Sequence, residues 1–205
     1  MKKLFSFLAV AVISVTIQIP LQGADSDFVI GKIDTNFQNS PNIPGGSYNK
    51  QGGGRPSPWL EIEVPFNWAP KDAQEKTLDS YTVNYYVLIK NTKQDPKGTL
   101  LTGSVAHCDL VVTRDMKRSV MYVAPSSLSK LFEGKTPTVL SQVVAGVGVE
   151  ISVGGTVAAE ATTSGKPGWW NDSSAYTVAS GVLVDKSKTP FAPLAWDYYE
   201  PIKDR

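Results

Sequence analysis

Between residues 59 and 66 apolar and acidic side chains alternate, with Leu60, Ile62, Val64 and Phe66 set against Glu61 and Glu63. A period of two is the pattern of a strand with one face buried and the other in water. The alternation returns over residues 79–90, where Tyr81, Val83, Tyr85, Val87 and Ile89 share a face. Further strands are expected over residues 27–33, 99–113, 119–123, 138–153, 156–162 and 175–185, with residues 191–199 closing the domain as strand packing. Pro65 has no N–H to give to a ladder, so it predicts an edge or a bulge at its end of the strand.

The breaks between these segments are equally readable. Asp95-Pro96-Lys97-Gly98 fits a β-turn, and Gly154-Gly155 turns one strand into the next. Gly146 and Gly148 interrupt a Val-rich run and predict bulging or close packing. Residues 38–58 are rich in Asn, Gly and Pro and read as a long loop. Residues 125–132 form the one helix candidate, with Leu128, Leu131 and Phe132 on one side and Gly134 as the stop. Seven to nine strands, one short helix and no internal repeat predict an all-β domain. A two-sheet sandwich of immunoglobulin-like type is the expected solution, with a barrel as the alternative.

The N-terminus follows a different pattern. Met1-Lys2-Lys3 is basic, Leu4 to Ile17 is mostly apolar, and Gln18 and Pro20 close the run. That is the layout of a secretory signal peptide, assigned to residues 1–23, with the domain at 24–205. The run is shorter than the ~20 apolar residues of a spanning helix. Ala24 stands where a lipoprotein signal requires Cys, and no Gly separates Lys3 from Leu4 as prepilin processing would need. The chain is therefore expected to be exported, to the periplasm, the outer surface or the medium.

Charge and composition narrow the chemistry. Setting aside Lys2 and Lys3 leaves 18 basic and 19 acidic residues, a net charge of −1, which favours neither nucleic acid nor an anionic membrane. Cys108 is the sole cysteine, so no intrachain disulfide forms, and it reads as a small buried hydrophobe. His107 is the sole histidine. Its neighbour Cys108 faces the opposite way along a strand, so the two are not a nucleophile–base pair. Gly134-Lys135-Thr136 lacks the upstream Gly of a phosphate loop, and Ser127-Leu128-Ser129-Lys130 lacks the companion motifs of penicillin-recognising enzymes. Glu61 and Glu63 share a strand face, but on the outer side of an alternating strand they read as solvated rather than as a glycosidase pair. No cofactor and no metal site is expected, since one His and one Cys cannot build a zinc site.

Aromatic residues carry the remaining signal. Trp169-Trp170 lies between Gly165-Lys166-Pro167-Gly168 and Asn171-Asp172-Ser173-Ser174. In such a loop the pair either presents flat faces to a ligand or covers an open end of the sandwich. Trp169 and Trp170 are the candidate ligand-binding residues, and Trp196, Tyr198 and Tyr199 read as strand packing.

The signal, the Trp59-Leu60-Glu61-Ile62-Glu63-Val64 strand and the Tyr81-Thr82-Val83-Asn84-Tyr85-Tyr86-Val87 strand together resemble a family of exported bacterial immunoglobulin-like proteins associated with type IV pili. The resemblance covers most of the exported chain and rests on strand patterns. It implies a pilus-associated protein at the outer surface, with a pilus component or a host surface as partner, and it implies no catalytic residues. The function expected from the sequence is a non-enzymatic protein-contact domain in a pilus or in surface adhesion. A carbohydrate-binding module using Trp169 or Trp170 is the alternative, and a small hydrolase the third possibility.

Overall fold

The alternation of residues 59–68 becomes the interior strand of one sheet, and that of residues 77–89 the middle of another. The computed structural model describes residues 27–41, 57–90, 96–135, 137–172 and 174–203. The expected signal peptide and residues 42–56 of the expected loop lie outside the described residues. Ten strands are present among them: β1 (Phe28–Ile30), β2 (Asp34–Gln38), β3 (Trp59–Trp68), β4 (Thr77–Ile89), β5 (Thr99–Val111), β6 (Lys117–Val123), β7 (Val144–Val153), β8 (Thr156–Thr162), β9 (Thr177–Ser180) and β10 (Leu183–Asp185). The helix α1 spans Pro125–Leu131. One sheet runs β1-β3-β6-β10, with β2 also on β3, and the other runs β8-β7-β4-β5-β9. The protein is an all-β, two-layer sandwich.

The inner faces are those the alternation marks. Leu60, Ile62, Val64 and Phe66 of β3 and Tyr81, Val83, Tyr85, Val87 and Ile89 of β4 join one buried apolar cluster. Each fully buried side chain of this size contributes ~1.5–3 kcal/mol, so the cluster is the main source of stability. Gly103 lets the two layers meet at one corner, because a Cβ there would stand 2.8 Å from Leu183 Cβ.

Three expectations change. Of the two alternatives at Pro65 the edge is excluded, since β3 lies between β6 and the β1/β2 pair, whereas the pairing does shift by one residue there, between Ile30 opposite Phe66 and Asp34 opposite Glu63. Its carbonyl accepts from Gly31 N–H at 2.7 Å. In an antiparallel ladder the N–H and C=O of one residue point to the same side, so the missing N–H also faces the outer strand. That strand is interrupted at residues 31–33, which divides it into β1 and β2. The expected strand at 175–185 is two strands: β9 pairs parallel with β5, Gly181 turns at φ 75°, and β10 pairs with β6 in the opposite sheet. Residues 191–199 form a series of turns, not a strand. Pro190 and Pro193 remove ladder donors there, and Ala195 sits at φ 51°.

Candidate functional site

After β10 the chain crosses the outer face of β3 and β6 as a strap, residues 186–202. Alternation on β6 turns Ser119 and Met121 inward, and Val120 and Tyr122 outward beneath the strap. Phe191 stacks on Tyr122, with ring centres 4.8 Å apart and planes 12° from parallel, and meets Trp59 edge-on. The Tyr122 hydroxyl donates to Glu61 at 2.9 Å, and the Gln38 amide donates to the other Glu61 oxygen at 3.3 Å. Tyr199 donates to Glu63 at 2.9 Å, Tyr198 donates at 3.3 Å, and Arg118 pairs with the same carboxylate at 3.4 Å. The expectation of solvated glutamates is corrected: Glu61 is 8% exposed, and both carboxylates anchor what lies over them. They do not face each other across an open cleft.

The strap leaves a groove of about 640 Å³ beside it, lined among others by Lys186, Pro193, Trp196, Tyr199, Glu200 and Ile202. Trp196 is 76% exposed, with Tyr198 and Leu194 also exposed nearby. Trp196 was expected in strand packing. The turns of the strap instead hold it outward, and Pro190 and Pro193 were the sequence signal for that. Lys186 is 8% exposed, its Nζ lying 5.7 Å from the Trp196 ring centre and 5.6 Å from that of Tyr199. Burial lowers its pKa.

Beneath the strap's end lies the sole histidine. His107 and Ser119 are brought together from facing sheets, with Nε2 2.7 Å from Ser119 Oγ. The Tyr85 hydroxyl donates to Ser119 at 2.7 Å, and His107 Nδ1 lies 3.0 Å from the Pro201 carbonyl. A carbonyl only accepts, so Nδ1 carries the proton and Nε2 accepts from Ser119. Each hydrogen then has one acceptor, along Tyr85, Ser119, His107 and Pro201. Burial pushes the imidazole pKa down to about 4, against the backbone contacts at Pro201 and Glu200 that raise it. A Ser–His hydrogen bond is the geometry of a nucleophile and its base. Here Ser119 is fully buried and already receives Tyr85, so the pair acts as a lock between the sheets and the strap.

Trp169 and Trp170 sit on a short 3-10 turn over the outer face of β7. Trp170 is 4% exposed, stacks on Tyr86 with ring centres 5.0 Å apart, and donates from Nε1 to Glu150 at 2.8 Å. Tyr86 donates to the other Glu150 oxygen at 2.9 Å. Trp169 is half-buried, donates to Thr162 Oγ1 at 2.9 Å and meets Tyr176 edge-on. Cys108 is half-buried. Among the described residues no group of three His, Cys, Asp or Glu could hold a metal ion, and no helix is long and apolar enough to cross a membrane.

A protein-family model matches residues 20–205, and the chain belongs to that family. The family is not a known enzyme family. The fold is shared with a crystal structure from Akkermansia muciniphila, at 20% identity and a TM-score of 0.73, over 92% of this chain and 97% of that one. No curated protein matches.

Proposed function

We propose that this chain is a non-enzymatic, exported protein-interaction domain, an immunoglobulin-like sandwich that works in a pilus or in adhesion at the cell surface. The observation that carries this reading is the exposed apolar edge of the strap, where Trp196 is 76% exposed, Tyr198 46% and Leu194 39%. Large aromatics on an otherwise covered face are the residues that dominate protein contacts. His107 borders the groove beside the strap, but it is buried and neutral with both ring nitrogens engaged by Ser119 and the Pro201 carbonyl, which supports a binding role over hydrolysis. The pilus association rests on the strand-pattern resemblance.

The test is co-sedimentation of residues 24–205 with pili sheared from the producing cells, or adherence to host cells. Binding by the wild-type chain, reduced about tenfold in Trp196→Ala as for an interface hot spot, supports the proposal. Absence of both kinds of binding overturns it. Glycan-array binding that is lost on Trp169→Ala or Trp170→Ala, without pilus binding, would establish the carbohydrate-binding alternative instead. Turnover of an ester or glycoside that is lost on His107→Ala would establish a hydrolase.

A further inference from the structure

We propose that the groove between the strap and the outer face of β6 is a binding site for a small cyclic carboxylate, its acid group received by Lys186 and its ring laid against Trp196.

Lys186 is 8% exposed, and its ammonium donates to the Ala192 carbonyl at 3.1 Å. The Trp196 and Tyr199 rings lie 5.7 and 5.6 Å from it, and among the described residues no carboxylate forms an ion pair with it. A buried ammonium has three donors and is costly to leave without a counter-charge. The acids nearby are engaged elsewhere: Asp185 holds Lys188 at 2.7 Å and caps Ser187, Glu200 pairs with Lys117 at 3.5 Å, and Glu63 holds the strap's tyrosines and Arg118. An incoming carboxylate supplies the missing partner through a charge-assisted hydrogen bond.

The groove specifies the rest of the ligand. At about 640 Å³ it lies in the range of small-molecule sites. Val120, Pro193 and Ile202 give it apolar walls, and Trp196 adds a flat, accessible ring. The ligand body is therefore cyclic and at least partly apolar. A single negative charge fits better than a dianion, because Glu200 lines the same groove. Two sources share this chemistry, a sugar acid and an aromatic acid.

Saturation-transfer NMR and calorimetric titration of residues 24–205 with D-glucuronic acid, indole-3-acetic acid and their neutral methyl esters test the site. At least one acid is expected to bind saturably and about tenfold more tightly than its ester, as loss of a charged hydrogen bond implies. Binding by glucuronate alone assigns a sugar acid, and binding by indole-3-acetate alone an aromatic acid. Trp196→Ala, at an exposed position where folding is not at risk, and Lys186→Met should each abolish it. Equal binding of acid and ester, binding unchanged in Trp196→Ala, or no binding by either acid overturns the proposal. The titrations use the isolated chain, so they stand apart from pilus contact. Lys186→Met leaves the exposed edge intact and should keep pilus binding while losing the acid.

Discussion

The Trp170 indole occupies the space that a side chain on Gly148 would need. A Cβ at Gly148 would fall well inside contact distance of the indole carbons Cε3, Cζ3 and Cδ2. The ring lies flat on β7, stacked on Tyr86, and the Trp170 and Tyr86 donors share the two oxygens of Glu150. Gly148→Ala must therefore lift the ring or bend the strand. Overpacking of this kind costs ~1–3 kcal/mol, so the urea midpoint should fall clearly. An unchanged midpoint would mean that the ring leaves its place freely.

Tyr81 offers the opposite expectation. Its ring is buried, packed edge-on to Phe66 and stacked on His107, while its hydroxyl is buried without a hydrogen-bond partner. Burial raises the phenol pKa, so the group is neutral at any ordinary pH. Tyr81→Phe keeps the ring and removes the unsatisfied oxygen. Removing such a group stabilises by about 1 kcal/mol, and thermal unfolding should move upward. A marked fall would show that the hydroxyl has a partner, such as a bound water.

His107 makes stability depend on pH. The folded protein holds the imidazole neutral down to about 4, while the unfolded chain takes up its proton near the ordinary value of 6.5. Between these values the unfolded state binds more protons, so stability is full above 6.5 and declines as pH falls towards 4. The shift corresponds to a loss of at most about 3 kcal/mol. Denaturation curves at pH 7, 6, 5 and 4 should show this decline, and His107→Gln should flatten it. A slope unchanged in the variant would assign the decline to other groups.

Much of this fold could be read from local pattern, and its exceptions share a cause. Alternation in β3 and β4 identified the core residues one by one, because sheet burial has the same period as the sequence. Gly148 is legible as a site of bulging or close packing because a glycine inside a strand marks one or the other, and the Trp170 ring makes it close packing. The polar segment Asp34-Thr35-Asn36-Phe37-Gln38 was not read as a strand, because it is an outer strand whose ladder partner, β3, lies across a long loop. Alternation also oriented Glu61 and Glu63 correctly but carried no information about what covers that face. The strap that does so comes from more than a hundred residues further along the chain. The apolar content of residues 191–199 points to strand packing, but Pro190 and Pro193 remove ladder donors there and the turns hold Trp196 outward. The approach of His107 to Ser119 is a tertiary fact that no spacing rule contains.

The strap itself should open as a unit. It is held by Phe191 against Tyr122, by Tyr199 on Glu63, by Glu200 on Lys117, and by the bridge between His107 and Ile202. Its cluster of Val120, Tyr122 and Phe191 is separate from the main core, and segments with few core contacts open at lower free energy than the whole molecule. Phe191→Ala removes the ring that joins strap to sheet, at ~3 kcal/mol for loss of a buried Phe. Hydrogen exchange should then quicken at the strap amides of Ala192, Leu194 and Glu200, whose acceptors are carbonyls of Thr189, Phe191 and Arg118. Protection across β3, β4 and β7 should hold, since their ladders do not involve the strap. Uniform acceleration over all these strands would instead show that strap and sandwich unfold together, making the strap part of the folding core.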